Sequence, residues 1–355
     1  MKKILLTGGG TAGHVTPNIA LLPGLKERAY EIKYVGSYDG IEKNLIKSQG
    51  IEYVGISSGK LRRYLSKENL TDIAKVFKGI KEAKQVIKDY KPDVVFSKGG
   101  FVSVPVVLAA KKYKVPVIIH ESDMTPGLAN KIAIPRATYV CHNFPETADY
   151  LPKGKAVYTG SPIRAELLNG NREIGLEFCC FDDKKPVILI IGGSLGAGAI
   201  NDMVRKSLDK LLPNFNICHL CGKGKLDESL VGTPGYVQYE YISKELKDLF
   251  AMADVIISRA GANAIFEFLA IKKPSILIPL PASQSRGDQI LNAKSFEKQG
   301  FAKVIDEDDL SVNVLVKAVN EVYENREDYV KAIEDAPINN AVDKILNLID
   351  KLASK

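Results

Sequence analysis

The chain has 355 residues, of which 45% are hydrophobic and 26% are charged, and these values indicate a globular protein long enough for two domains. No apolar run approaches the roughly 18 residues that cross a bilayer, which argues against a membrane-spanning protein. The net charge of +7 comes without a recognisable nucleic-acid-binding motif, so we expect no nucleic acid as a partner.

The first half of the chain alternates short apolar strands with helical patterns, which is typical of a doubly wound parallel sheet of the α/β class. The predicted strands are Lys3–Thr7, Ile32–Gly36, Tyr53–Ile56, Asp93–Ser97, Val115–Ile119, Thr138–Cys141 and Ala156–Thr159. Because the apolar start of the chain stops at Gly8, we interpret it as a first strand and not as a signal peptide.

Two of these strands run into glycine-rich turns, Gly8–His14 and Lys98–Phe101. A strand, a turn without side chains and a helix N-terminus together present backbone N–H groups to a phosphate. The first turn also fits G-x-G-x-x-G, the fingerprint of a nicotinamide-dependent oxidoreductase, with Asp39 as the ribose partner. One dinucleotide does not need several glycine-rich loops, so this interpretation is the weaker one.

Lysines and apolar residues are interleaved at helical spacing between Lys60 and Lys91. One interpretation is a packed surface helix with a solvated lysine face. The other is a helix and loop that rest on an anionic membrane surface and insert apolar side chains, those of Leu61, Tyr64, Leu65 and Phe77.

The second half repeats the scheme, with predicted strands Val187–Ile191, Asn216–Leu220, Val237–Glu240, Val255–Ser258, Ser275–Ile278 and Ala302–Ile305. A further glycine-rich turn, residues 192–198, follows the first of them. Two such elements predict two Rossmann-like domains, 1–161 and 162–337, that face each other across a cleft. A last helix over about 340–352 is predicted to return residues 338–355 to the first domain.

The cysteines do not indicate a metal site. Cys218 and Cys221 form a C-x-x-C pair in a segment that alternates like a strand. A structural zinc site needs four ligands at matched spacings, and no second pair of that kind comes from the others, which are Cys141, Cys179 and Cys180. We therefore expect reduced core thiols, no metal and no cofactor.

Residues 258–289 have features that suit a nucleotide-bearing ligand. Gly261 lies where a strand turns into a helix, so backbone can approach a ligand and the helix N-terminus favours a diphosphate. Glu267 is placed to accept hydrogen bonds from a ribose diol. Gln289 offers both donor and acceptor groups to sugar hydroxyls.

Six segments, spread in order over nearly the whole chain, together resemble the MurG family of peptidoglycan N-acetylglucosaminyltransferases, of the kind found in Gram-positive bacteria. They are GGGTAGHVTP, SKGGFVSVP, HESDMTPGLANK, GGSLGA, SRAGANAIFE and SRGDQILNA. The resemblance implies a GT-B fold and transfer of GlcNAc from UDP-GlcNAc to lipid I, undecaprenyl-diphospho-MurNAc-pentapeptide. It also implies a peripheral protein on the cytoplasmic side of the cell membrane, with acceptor and membrane bound by the first domain and UDP-GlcNAc by the second.

The resemblance also implies roles for the residues of this chain that lie in the matching motifs. It implies substrate contacts at Thr11, Ala12, Gly13, Asn130, Arg164, Ser194, Ile242, Glu267 and Gln289, with Arg164 contacting UDP, Ser194 the diphosphate and Ile242 uracil. One position departs, because Asp123 stands where the family often has an asparagine. An aspartate cannot donate an amide hydrogen bond, which puts its contact with sugar in doubt.

An inverting transfer needs a base for the attacking hydroxyl, and His14 is the first candidate. Glu121 is the second. Alternatives that share the fold are a UDP-GlcNAc 2-epimerase and a glycosyltransferase acting on a soluble acceptor. A two-lobed sugar receptor is the non-enzymatic alternative, and the missing export signal counts against it.

Overall fold

The computed structural model describes residues 1–59, 67–192, 197–336 and 340–354, and side chains are described for all of these except 67–71. The chain divides into two compact units: unit 1 comprises Met1–Arg164 and Ile338–Lys355, and unit 2 comprises Ala165–Pro337. The division follows Arg164 and not residue 161. Gly160 is held in unit 1, since its carbonyl accepts from His120 and its N–H donates to the carbonyl of His142.

The strands lie close to their predicted positions in both halves. They are β1 (Lys3–Thr7), β2 (Glu31–Ser37), β3 (Glu52–Ile56), β4 (Val94–Ser97), β5 (Val117–Glu121), β6 (Tyr139–His142), β7 (Ala156–Tyr158), β8 (Val187–Ile191), β9 (Asn216–Leu220), β10 (Tyr236–Tyr239), β11 (Val255–Ser258), β12 (Ser275–Leu277) and β13 (Ala302–Val304). Strand β5 begins after Pro116, which has no N–H to donate to a neighbouring strand, and continues two residues further than predicted, to Glu121.

The α-helices are α1 (Thr16–Glu27), α2 (Ile41–Lys47), α3 (Lys67–Tyr90), α4 (Ser103–Lys112), α5 (Leu128–Ala133), α6 (Arg172–Phe178), α7 (Gly198–Lys206), α8 (Leu208–Leu211), α9 (Leu246–Met252), α10 (Ala262–Ala270), α11 (Asp288–Lys298), α12 (Val312–Glu324), α13 (Arg326–Glu334) and α14 (Ala341–Ala353). Short 3₁₀ helices occur at Ala12–His14, Ile134–Arg136, Pro145–Tyr150, Ala165–Leu168, Glu228–Leu230 and Glu307–Asp309. Among the helices of the described ranges, none is long and apolar enough to cross a membrane.

Both sheets are parallel and doubly wound. Unit 1 has the strand order β3-β2-β1-β4-β5-β6-β7, and unit 2 has β10-β9-β8-β11-β12-β13. In each sheet the order reverses beside the first strand of the unit, between β1 and β4 and between β8 and β11. The carboxyl ends of the strands at such a switch point form the usual ligand site of an open α/β sheet.

Alternation along the strands divides the core of unit 1 into two layers. Leu5 faces a cluster that includes Ala83 and Ile87 of α3, whereas Ile4 and Leu6 face a cluster with α1 and α14. Helix α14 contributes its apolar stripe to that second layer, namely Ile345, Leu346, Ile349 and Leu352. The predicted return of the last helix to the first domain is therefore observed.

Helix α3 only partly fits the interpretation as a packed surface helix. Ala83 and Ile87 in its second half are buried, but Ile73 is 43% exposed and Phe77 is 68% exposed. The two exposed side chains are one turn apart and so lie on the same face of the helix. The other residues predicted to insert into a membrane, Leu61, Tyr64 and Leu65, lie outside the described residues.

Candidate active site

The loops after β1 and β4 touch at the switch point of unit 1. A Cβ built on Gly100 would lie 2.3 Å from the carbonyl oxygen of Gly9, and the φ of Gly100 is +82°. Both observations require glycine at this position. The glycines of the SKGG segment thus let one loop pack directly on the backbone of the other.

The Glu42 carboxylate occupies part of the first glycine-rich loop. It accepts hydrogen bonds from the N–H of Gly10 (3.1 Å), the N–H of Ser37 (2.9 Å) and the hydroxyl of Ser37 (2.5 Å). Burial raises the pKa of Glu42, but these donors outweigh burial, and the pKa lies below its ordinary value. An anionic carboxylate already bound to a loop amide disfavours a pyrophosphate there, which argues against the dinucleotide interpretation.

His14 lies at the end of the 3₁₀ turn that joins β1 to α1, and its ring is half-buried. Its Nδ1 is 3.2 Å from the carbonyl oxygen of Lys98. A carbonyl only accepts, so Nδ1 carries the hydrogen and the lone pair of the neutral ring lies on Nε2. Thr11 and Ala12 on the same turn are exposed, and Gly13 is half-buried.

Lys98 is buried below this loop and joins it to the end of β5. Its side chain is 1% exposed, with Nζ 2.8 Å from Nδ1 of His120 and hydrogen-bonded to the hydroxyl of Ser122. His120 Nε2 is 3.0 Å from the carbonyl oxygen of Gly160. Nε2 therefore donates to that carbonyl, and Nδ1 accepts from Lys98.

Burial sets the protonation of this cluster. Burial lowers the pKa of Lys98 to about 8, although the charges of Glu121 and Asp123 act in the opposite direction. Burial and the nearby Lys98 charge hold the pKa of His120 well below its ordinary value, so its ring is neutral.

The Glu121 carboxylate is used within its own loop. It accepts from the N–H of Asp123 (3.0 Å), the N–H of Gly127 (3.0 Å) and the side-chain amide of Asn130 (2.8 Å). Burial and Asp123 raise the pKa of Glu121, and these hydrogen bonds only partly oppose the rise. The contacts make Glu121 the organiser of the loop, here called the 121–130 loop, whereas its role as a base remains a prediction.

Asn130 presents an unused acceptor in unit 1. Its amide nitrogen is bonded to Glu121, whereas its Oδ1 is buried without a hydrogen-bond partner among the described residues. This oxygen lies next to Gly99, since a Cβ built on Gly99 would be 3.2 Å from it. A buried acceptor of this kind is suited to a donor group on a ligand.

Two uncapped helix N-termini meet the switch point of unit 2. Helix α7 follows β8 and α10 follows β11, neither has a side-chain cap, and neither has an acidic residue in its first turn. The Ser258 hydroxyl donates to the carbonyl of Ile191 (2.8 Å), which joins the ends of the two strands. Such termini favour an anion. Ser194 belongs to the glycine-rich turn of residues 192–198 but lies outside the described residues.

Gly261, the N-cap of α10, has open space where a side chain would project. A Cβ built there meets nothing within 4 Å, and the φ of Gly261 is −68°. Nothing in the described residues therefore requires glycine, and the space is available to a ligand. Two neighbours fix this turn: Asn292 donates to the carbonyl of Ala260 (3.3 Å), and Arg259 donates to the carbonyl of Ile278 (3.1 Å).

The remaining residues predicted to contact the donor lie on α10, on α11, after β10 and at the end of unit 1. Glu267 is half-buried in α10, and Gln289 in the first turn of α11 accepts from the N–H of Leu280 (3.1 Å). Ile242 follows β10, three strand positions from β11, which corresponds to roughly 14 Å at the usual spacing. Arg164 is the last residue of unit 1 and was predicted in the second domain.

Acidic and sulfur groups do not assemble a metal site in the part of the chain that is described. In the acidic stretch after β13, Glu307 pairs with Arg259 at 2.5 Å. Cys218 and Cys221 are buried free thiols.

Comparison with known proteins identifies the family. Residues 4–142 match the glycosyltransferase family 28 N-terminal domain, and residues 187–349 match the glycosyltransferase family 28 C-terminal domain. The chain belongs to glycosyltransferase family 28. It is a glycosyltransferase, and each of its two α/β units has the parallel sheet flanked by helices that characterises the GT-B fold.

Two relatives are similar to this chain over nearly its full length. A protein of Lachnoclostridium phytofermentans is 62% identical over 355 residues, which is 100% of both chains. A protein of Lachnospira eligens is 62% identical over 349 residues, 98% of this chain and 99% of the relative. Both are named UDP-N-acetylglucosamine–N-acetylmuramyl-(pentapeptide) pyrophosphoryl-undecaprenol N-acetylglucosamine transferase.

Solved structures agree with the family 28 assignment. The crystal structure of Acinetobacter baumannii MurG has a TM-score of 0.78 and 28% identity and covers 99% of this chain and 100% of that one. UDP-GlcNAc 2-epimerase from Neisseria meningitidis has a TM-score of 0.69 and 15% identity, over 98% and 100% of the two chains. At that identity the likeness shows the fold alone.

Reasoning from the sequence missed buried contacts of the segments that follow β1, β4 and β11. The Lys98–His120 pair, the Glu42 carboxylate and the Arg259–Glu307 ion pair were not predicted. A lysine that directly follows an apolar strand, as Lys98 does, was the available signal, since such a lysine is buried only when it has partners.

Proposed function

We propose that this glycosyltransferase transfers GlcNAc from UDP-GlcNAc to the C4 hydroxyl of MurNAc in lipid I, which yields lipid II for peptidoglycan synthesis. The observation that carries the proposal is the 62% identity over the full length of relatives named for this transfer.

We propose that His14 is the general base. The Lys98 carbonyl holds Nδ1–H, so Nε2 takes the proton of the attacking hydroxyl as that oxygen bonds to the anomeric carbon. The bond from the anomeric carbon to the diphosphate oxygen breaks with inversion, and UDP leaves with the electron pair. Thr11, Ala12, Gly13 and the Oδ1 of Asn130 contact the acceptor in this proposal.

The donor is proposed to bind to Arg164 and to residues of unit 2. The N-termini of α7 and α10, the Ser194 hydroxyl and Arg164 stabilise the diphosphate as it takes up negative charge. Glu267 accepts hydrogen bonds from the ribose hydroxyls, and the backbone at Ile242 reads uracil. The amide of Gln289, oriented by its bond to Leu280, donates to a sugar hydroxyl.

We propose that unit 1 associates peripherally with an anionic membrane at the cytoplasmic face, where a lipid-linked acceptor is held. Ile73 and Phe77 of α3 are exposed, and exposed lysines are interleaved with them at Lys75, Lys78 and Lys81. An apolar face flanked by lysines is suited to the boundary between headgroups and acyl chains.

The test is incubation with labelled UDP-GlcNAc and a short-chain muramyl lipid acceptor, with and without a chelator. Labelled disaccharide lipid and free UDP, formed only with the acceptor and unaffected by the chelator, support the proposal. Release of UDP without acceptor, together with an isomerised sugar, supports the 2-epimerase alternative instead.

A further inference from the structure

Lys98 is bonded to two loops of unit 1 at the carboxyl edge of the sheet, the first glycine-rich loop after β1 and the 121–130 loop after β5. Its N–H donates to the carbonyl of Thr7 (2.9 Å), at the start of the first glycine-rich loop. Its carbonyl accepts from Nδ1 of His14 (3.2 Å), and its ammonium group reaches His120 (2.8 Å) and Ser122 at the start of the 121–130 loop. One residue therefore relates the position of the His14 ring to that of the 121–130 loop.

Burying an ammonium group is costly unless partners compensate for the lost water. The groups that face Lys98 are two acidic side chains on the 121–130 loop, Glu121 and Asp123, a thiol on β6, Cys141, and the neutral ring of His120. Folding alone does not require a charge here, because an unbranched apolar side chain also fills a buried space. We therefore attribute the ammonium charge of Lys98 to its contacts with His120 and Ser122.

We propose that Lys98 is a positioning residue for the transfer, which fixes the tautomer of His14 through its carbonyl and the place of the 121–130 loop through its ammonium group. The proposal rests on the proposed function, in which His14 is the base. Lys98 does not touch the reacting atoms in this scheme. Its contribution is the geometry between base and acceptor, and a misplacement of about 1 Å at such a site costs roughly a hundredfold in rate.

The variants are Lys98→Met, of similar length without charge, and Lys98→Arg, which keeps the charge. The matched control is Lys111→Met, since Lys111 is exposed on α4 and has no part in the site. Thermal unfolding of each variant establishes that it is folded before rates are measured. Initial rates are then followed from about pH 6 to 10 with UDP-GlcNAc and the short-chain muramyl lipid.

For Lys98→Met we expect kcat to fall by roughly ten- to a hundredfold while the KM for UDP-GlcNAc changes by less than about twofold. The wild-type rate should fall as the pH rises through the Lys98 pKa of about 8. That decline should be absent in Lys98→Met and displaced upward in Lys98→Arg. Equal kinetics for Lys98→Met and Lys111→Met, or a parallel loss of donor affinity, overturn the proposal.

A second measurement does not depend on turnover. The chain has 4 histidines, so ¹⁵N spectra of the imidazoles are simple enough to assign. In the wild type His14 should show the Nδ1–H tautomer, and Lys98→Met should keep it because the backbone carbonyl is unchanged. The Nδ1 resonance of His120 should shift in Lys98→Met, because that nitrogen loses the hydrogen bond from the ammonium group. If the wild type transfers no sugar to the lipid acceptor, the proposed function fails while these spectra still decide the positioning role. A wild-type His14 ring with its hydrogen on Nε2, or a His120 Nδ1 resonance that does not shift in Lys98→Met, refutes that role.

Discussion

The His14 side chain is hydrogen-bonded to the backbone of Lys98, with Nδ1 and the carbonyl oxygen 3.2 Å apart across 84 residues of sequence. A backbone carbonyl orients this imidazole in the way that a carboxylate does in a hydrolase triad. The ring nitrogen that faces away from the carbonyl then has a defined lone pair. Substitutions at His14 and around Lys98 test this arrangement directly.

Replacing His14 with alanine or glutamine should lower kcat by roughly 10²- to 10⁴-fold, the usual contribution of a general base. The affinity for UDP should be unchanged, because His14 is not among the proposed donor contacts. Transfer of labelled GlcNAc gives the rate, and isothermal titration calorimetry gives the affinity. Near-normal turnover in both variants would show that His14 is not the base.

Replacement by alanine should lower the stability of the protein at Gly100 but not at Gly261. Gly100→Ala puts a methyl group 2.3 Å from the carbonyl of Gly9 at a φ of +82°, so we expect a loss of stability of about 1–3 kcal/mol. Gly261→Ala meets nothing within 4 Å and should unfold at the wild-type temperature. Thermal unfolding of the two variants measures this difference.

The same two variants, Gly100→Ala and Gly261→Ala, should also differ in their kinetics with UDP-GlcNAc. We expect Gly261→Ala to raise the KM for UDP-GlcNAc, because the added methyl group occupies space proposed for the diphosphate. Each variant serves as the control for the other. Unchanged donor kinetics in a fully stable Gly261→Ala protein would exclude this turn from the donor site.

Local sequence pattern was sufficient for the elements of the fold. Parallel strands are short runs of β-branched and apolar residues, such as Val187–Ile191, and turn residues bound them clearly. Glycine-rich turns after such strands located both switch points, where the candidate residues of each unit lie. The start of β5 differed by two residues because the apolar pattern continues through Pro116, which cannot take part in the ladder as a donor.

The contacts that orient the site could not be predicted from the local sequence pattern. The Lys98–His120 bond joins the ends of two neighbouring strands, and its existence depends on their register, which pairs Ser97 with Ile119. Glu121 illustrates the same limit. It was the second candidate base, and the sequence did not indicate that the fold turns residues 123–130 back onto its carboxylate as hydrogen-bond donors.

Glu267→Ala should weaken UDP binding by roughly ten- to a hundredfold, which corresponds to the loss of hydrogen bonds to a charged acceptor at about 1.5–3 kcal/mol. Calorimetric titration with UDP, and with uridine lacking the diphosphate, measures the change. Glu324→Ala, at the exposed end of α12, is the matched control. Equal UDP affinity for the two variants would remove Glu267 from the ribose site.

Phe77→Ser should weaken binding to anionic vesicles by about tenfold or more, because the exposed phenyl ring is proposed to enter the lipid and its burial contributes about 1.5–3 kcal/mol at most. Co-sedimentation with vesicles that contain phosphatidylglycerol gives the partition coefficient. Tyr150→Ser, another exposed aromatic residue of unit 1, is the control. If both variants bind as the parent does, α3 does not contact the membrane.

Asp123→Asn tests the electrostatics of the Lys98 cluster. The Asp123 charge raises the pKa of Lys98 and also raises that of Glu121, so its removal should lower both. Lys98 then loses its proton at a lower pH. The alkaline decline of kcat should therefore move toward neutral pH relative to the wild type. Rate profiles over the same pH range measure this shift. A decline that stays in place, or moves to higher pH, would mean that a group other than Lys98 controls it, since the loss of a neighbouring negative charge can only favour the neutral amine.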